Sequence, residues 1–251
     1  MRAKLASRTY GVDTSGTDAA ARATKITLTI IPTAMAHQPN ATMRPLRLFI
    51  ASLGNPSPLR ETRHSAGHVL IKALQSHLKF PAFKKSKPYG QGLMSTGADV
   101  GRPEFTLWQS PSFMNTSGTL LVRAYQKYMR EACEDGDLPG LVVLHDQMET
   151  APGQLKVRAG DMSAKGHNGI KSVQSSLQSA GLFKQLTGPE NRAKFINIGY
   201  GIGRPAGGSR EKGDVSAYVL GKFTMGELDG IAKSAASLEE LLEKERMRMS
   251  S

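Results

Sequence analysis

Three continuous apolar runs limit what this chain can fold into: "LRLFIASL" (residues 46–53), "LVVLHD" (141–146) and "KFINIGYG" (194–201). A run of this length with no polar alternation predicts a strand buried in a sheet. The stretches between them have helical spacing instead. "HVLIKALQSHL" (68–78) puts Val69, Leu70, Ala73, Leu74 and Leu78 on one face, and "TLLVRAYQKYMREA" (119–132) does the same with Leu120, Leu121, Ala124, Tyr125 and Tyr128. "NGIKSVQSSLQSA" (168–180) predicts a third helix, and "SLEELLEKERMRM" (237–249) closes one or two more. "GQGLMSTGADVGRPEFTLWQ" (90–109) reads as a hairpin, and "LKVRAG" (155–160) as a short strand. Helices alternating with apolar strands predict one α/β domain, a mixed twisted sheet flanked by helices. In such folds, reactive groups collect beyond the strand ends. That rule marks Asn55, Asp146 and residues 199–204.

Charge narrows the class of partner. With 33 Lys and Arg against 21 Asp and Glu, the formal net charge is +12, an excess suited to a polyanion through phosphate contacts and counterion release. The one cysteine, Cys133, excludes an internal disulfide framework. The longest apolar candidate for a membrane segment, "ITLTIIPTAMA" (26–36), is short and broken by Pro32. Residues 1–43 are rich in Ala, Ser and Thr and carry five basic residues against two aspartates, the composition of an organellar transit segment. Met43 offers an alternative start. The expected division is a leader over 1–43 and a domain over 44–251, with a mitochondrial or a cytoplasmic address, the former favoured.

The candidate chemistry rests on imidazole, carboxylate and amide. His64 follows a turn and opens a helix, where it can exchange a proton near neutral pH. Asp146, ending a strand, can fix the tautomer of an imidazole and stabilise its charged form; His145 beside it points to the opposite side of the strand. Taken singly, each also fits an ordinary structural role. A nucleophile is missing: Cys133 lies among acidic neighbours that oppose a thiolate, and no G-x-S-x-G elbow occurs. The spacings C-x-x-C and H-E-x-x-H are missing too. What remains is direct activation of water. Asn115 in "SFMNTSG" and Asn168 in "KGHNGIKS" suit either helix caps or the holding of a ribose hydroxyl, a water or an oxyanion.

Together, "LGNPSPLRETRHSAG", "SFMNTSG", "VVLHDQMETAPGQLKVR", "KGHNGIKS" and "NIGYGIGRP…VSAYVLGKF" resemble, in order, the motifs of the bacterial-type peptidyl-tRNA hydrolase family, in a eukaryotic and organellar form. The resemblance covers roughly residues 46–223. It implies a hydrolase that cleaves the ester between a peptide and the 3′-ribose of tRNA, recycling stalled peptidyl-tRNA. Carried over by motif, His64 is the base and Asp146 its partner. Asn55, Asn115 and Phe113 line the cleft, and Asn168 orients substrate or water. Lys156, Arg158, Lys165, Lys171 and Arg204 become tRNA contacts, and residues 206–223 resemble a mobile lid. The resemblance implies no cofactor or metal, a monomer, and no membrane. Three positions depart from the family: Leu59-Arg60 stands where a tyrosine is usual, Ser65 where an asparagine is common, and Ser110 where a basic residue is usual. A non-catalytic RNA-binding or splicing factor on the same fold is the alternative, and a small-acyl esterase fits the charge poorly.

Overall fold

A computed structural model of the protein describes residues 44–188 and 194–250. The expected leader and the run over 26–36 lie outside the described residues. In chain order, the strands are β1 (Leu46–Ser52), β2 (Lys84–Lys85), β3 (Leu93–Thr96), β4 (Phe105–Gln109), β5 (Leu138–Gln147), β6 (Leu155–Ala159) and β7 (Phe195–Gly201). The helices are α1 (Ala66–His77), α2 (Ser117–Glu134), α3 (Asn168–Ser179), α4 (Phe183–Thr187), α5 (Lys212–Leu220) and α6 (Met225–Ser250).

All seven strands form one sheet in the order β2-β3-β4-β1-β5-β7-β6. The centre, β4-β1-β5-β7, is parallel, with Ile50 beside Leu107 and Val142, and Leu144 beside Ile198. The edges are antiparallel: β2 and β3 on one side, β6 against β7 on the other. The sheet is therefore mixed, as the sequence predicts. Its three apolar runs are β1, β5 and β7, which are buried because helices cover both faces.

Along β1 the side chains alternate between two cores. Leu46, Leu48 and Ile50 join Leu70, Leu74 and Leu238 beneath α1 and α6, while Phe49, Ala51 and Leu53 join Trp108, Tyr125 and Val173 beneath α2 and α3. Each fully buried large side chain contributes about 1.5–3 kcal/mol, so two packed faces hold β1 and β5 firmly.

Two details differ from expectation. α1 starts at Ala66, two residues early, and turns Ile71 fully into the core while Val69 and Ala73 are half-buried. Helix α5, from Lys212, is an element that the sequence pattern does not announce within 206–223. Among the described residues, no helix is long and apolar enough to cross a membrane.

Candidate active site

The C-terminal end of β5 delivers Asp146, only 3% exposed. Two imidazoles meet it, their ring centres 5.6 Å apart. His64 Nδ1 and His167 Nε2 each lie 2.9 Å from Asp146 Oδ1. An ionised carboxylate only accepts, so both rings donate, and His64 keeps the lone pair on Nε2. His167 is bound at its other nitrogen as well: Nδ1 accepts from the Ile170 N–H at 3.2 Å, which makes His167 the N-cap of α3. With one nitrogen bonded to the carboxylate and the other to the α3 backbone, the His167 ring is fixed in orientation.

Burial sets the protonation states, and the carboxylate decides the exceptions. Burial works against a charged His64 ring, but the hydrogen bond and charge of Asp146 outweigh it and leave the pKa raised above the usual 6.5. Burial would likewise raise Asp146. Its pairing with His167, and then with His64, prevails and holds it well below the usual carboxylate range. His145 faces the α3 side, edge-on to His167 at 4.8 Å, and donates through Nδ1 to the Asp146 carbonyl. Full burial, reinforced by the neighbouring His167 ring, pushes its pKa down to about 3.

His64 is placed by contacts on both sides of it. Gly67 follows it in the first turn of α1, and a Cβ there would meet the carbonyl oxygens of Leu144 at 2.4 Å and Leu53 at 2.6 Å. Glycine thus lets the helix start settle directly on the ends of β1 and β5. Arg63 precedes it. Its Nε and Nη2 bond both oxygens of Glu227 at 3.0 and 2.9 Å, its guanidinium lies 4.8 Å from the centre of the Tyr218 ring, and its N–H donates to the Gly221 carbonyl. Ser65 accepts from the Asn55 N–H at 2.9 Å and donates to the Leu59 carbonyl, which ties the two ends of the turn together.

A cleft of about 570 Å³ opens over this group. His64, Asp146, His167 and Asn168 line its floor, Lys165 one wall, and α5 roofs it with Lys212, Val215 and Val219. Lys165 and Gly166 both adopt left-handed backbone, φ 45° and 87°, the sharp turn that presents His167. His64, Asp146 and His167 also offer ligand atoms within 4.8 Å of one another, as a transition metal would require. Here both rings spend their bonds on a single carboxylate oxygen.

The peptidyl-tRNA hydrolase family pattern matches residues 49–250. The chain belongs to the peptidyl-tRNA hydrolase family. The "Probable peptidyl-tRNA hydrolase" of Schizosaccharomyces pombe is 34% identical over 181 residues, which span 72% of this chain and 73% of that protein. The peptidyl-tRNA hydrolase of Desulfitobacterium hafniense is 35% identical over 197 residues, 78% of this chain and 87% of that one. The crystal structure of the Acinetobacter baumannii peptidyl-tRNA hydrolase superposes with a TM-score of 0.56 at 25% identity, covering 82% of this chain and 95% of that one.

In this member of the family the other predicted residues lie around the cleft, not all in it. Asn55 is buried, and its Oδ1 accepts from the Met114 N–H at 3.1 Å; it lines a neighbouring cleft of about 180 Å³ with Arg60 and Lys85. Asn115 and Phe113 are exposed on the 3-10 turn that Met114 anchors. Met114 in turn packs under Gly169, next to Asn168. Lys156 and Arg158 share one side of β6, where Arg158 holds the Ser163 carbonyl; Lys171 is exposed on α3, and Arg204 pairs with Glu149. The three departures are built into the structure. Arg60 Nη2 bonds Gln109 Oε1 at 2.5 Å, Ser65 clasps the turn, and Ser110 donates to Ser117.

Sequence reasoning overlooked His167, favouring the asparagine after it as cap or ligand. The signal available was a second histidine behind a glycine, opening a helix. It also passed over Glu227 and Glu149, whose partners are distant in sequence.

Proposed function

We propose that His64 takes a proton from a water that attacks the ester joining a peptide to the 3′-ribose of tRNA. The hydrolysis itself is the activity of the family to which the chain belongs. The observation that carries the mechanism is the 2.9 Å bond from His64 Nδ1 to Asp146, which leaves Nε2 as the proton acceptor. The water oxygen bonds to the ester carbon as its proton passes to Nε2, and Asp146 stabilises the imidazolium. The tetrahedral oxyanion then collapses, the bond from carbon to ribose oxygen breaks, and the imidazolium returns its proton to that oxygen. His167 positions the carboxylate. The Asn168 amide lines the cleft and is suited to hold the water or the oxyanion. Asn55 spends its carbonyl on Met114, so its NH₂ group is what remains to meet substrate. Phe113 and Asn115, on the adjoining turn, face the bound peptide or terminal ribose. Lys156, Arg158, Lys165, Lys171 and Arg204 contact phosphates.

This reading extends to a monomer that recycles stalled peptidyl-tRNA in the mitochondrion, the cytoplasm being the second choice. The composition of residues 1–43 supports the address, and tagged forms started at Met1 and Met43 test it. The splicing-factor alternative draws no support from the relatives.

The deciding assay compares hydrolysis of N-blocked and unblocked aminoacyl-tRNA. The blocked substrate alone is cleaved, and His64→Ala lowers kcat/KM by about two to four orders of magnitude. Full turnover in His64→Ala would overturn the mechanism.

A further inference from the structure

Beside the catalytic cleft, and sharing Met148, Glu149, Lys165, Lys212 and Val215 with it, lies a second opening of about 520 Å³. Four cations line it: Lys165 from the loop before α3, Arg204 after β7, Arg210, and Lys212 at the start of α5. One carboxylate, Glu149, faces them. Arg204 grips it with two nitrogens, Nη2 on Oε1 and Nε on Oε2, while its Nη1 donates to the Ser209 carbonyl at 3.4 Å. Glu149 is held ionised first by the Arg204 hydrogen bond, against slight burial, and then by the charges of Arg204, Arg210 and Lys165. The nearby acids Glu211 and Asp214 do not line the opening, and Asp214 is engaged by the Ser209 hydroxyl at 2.6 Å.

Four cations against one carboxylate leave the opening three charges in excess. An arginine fork that holds both oxygens of a carboxylate matches two oxygens of a phosphodiester equally well. The geometry points to this opening as the seat of a backbone phosphate of the RNA substrate, with Glu149 as its internal stand-in. The inference rests on the peptidyl-tRNA reading and adds a residue that opposes binding. Glu149 lies three residues beyond Asp146, whereas Arg204 and Arg210 lie on the connection from β7 into α5, and Lys212 opens the α5 roof. When a phosphate displaces the carboxylate, Arg204 transfers from protein to substrate, and the roof is then tied to the RNA.

The test is Glu149→Gln in the full chain, assayed on N-blocked aminoacyl-tRNA over a range of salt. Glu149 is exposed, so the exchange leaves the core untouched. Expected is a KM about threefold to tenfold lower, with a dependence of log KM on log salt steeper by about 0.7, one added phosphate contact on a single strand. Arg204→Gln raises KM and flattens that slope, and in its background Glu149→Gln has no further effect. A KM that is unchanged or raised in Glu149→Gln, with the wild type active, overturns the inference. A wild type that leaves the blocked substrate intact overturns the underlying reading instead.

Discussion

Asp146 Oδ1, a single oxygen shared by two imidazoles of different duty, organises the site. His64 must be neutral to act as base, and its pKa is raised, so the acid limb of kcat/KM against pH lies above 6.5. Asp146→Asn removes the charge that raises it and leaves only a neutral amide oxygen as a weaker acceptor. The limb should then move to lower pH as the plateau falls, which a pH–rate profile reads directly. An unmoved limb would mean that another group titrates. His167 serves two ends at once. His167→Ala loses the α3 cap, at about 1 kcal/mol, together with the carboxylate's second partner. His167→Asn keeps a capping side chain, so thermal melts should recover most of the stability while kcat stays low. The sequence made His64 and Asp146 legible because a residue just past a buried run has few other places to go. His167 was hidden because a histidine in a capping position gives no hint of which carboxylate its far nitrogen will meet.

At the scale of elements, catalytic placement depends on how closely α1 approaches the sheet. Gly67→Ala sets a methyl group against two backbone carbonyls that have no room to retreat. Expected is a shift of the first turn of α1 and a loss in kcat/KM of about 10²-fold, since displacement by an ångström is enough; a crystal structure of the variant would show the moved ring. Gly101→Ala, a left-handed glycine with open space around it, is the contrasting control. It strains its own turn and leaves turnover alone. The strands were legible because continuous apolar runs allow little else, and helical faces fell to within a residue or two. Helix α5 was not, because "KGDVSAYVL" lacks a one-sided apolar stripe; it is a roof over a cleft, not a slab on the core. The pairing of Arg63 with Glu227 spans 164 residues and leaves no local trace.

At the scale of the molecule, two rings among the described residues oppose folding when protonated. His68 and His145 are fully buried with pKa values pushed down to about 3, by burial first and then by the neighbouring Arg60 and His167 respectively. Their folded values lie below the unfolded 6.5, so between about pH 3 and 6.5 the unfolded chain binds more protons and stability falls as pH drops. Each ring contributes about 1.4 kcal/mol per pH unit in that window. The raised pKa of His64 acts in the opposite sense, strengthening the fold below 6.5 and fading as pH rises through its folded value. Calorimetry from pH 7.5 to 4.5 should show a steadily falling Tm; a flat profile would refute this balance. The net charge of +12 spoke for a polyanion from the outset, yet where the cations converge depended on long-range packing that composition cannot express. The bond from Arg63 to Glu227 has one more consequence. Translation supplies the base early and its brace near the end, so a half-made copy still tethered to its own tRNA carries His64 without the clamp beside it.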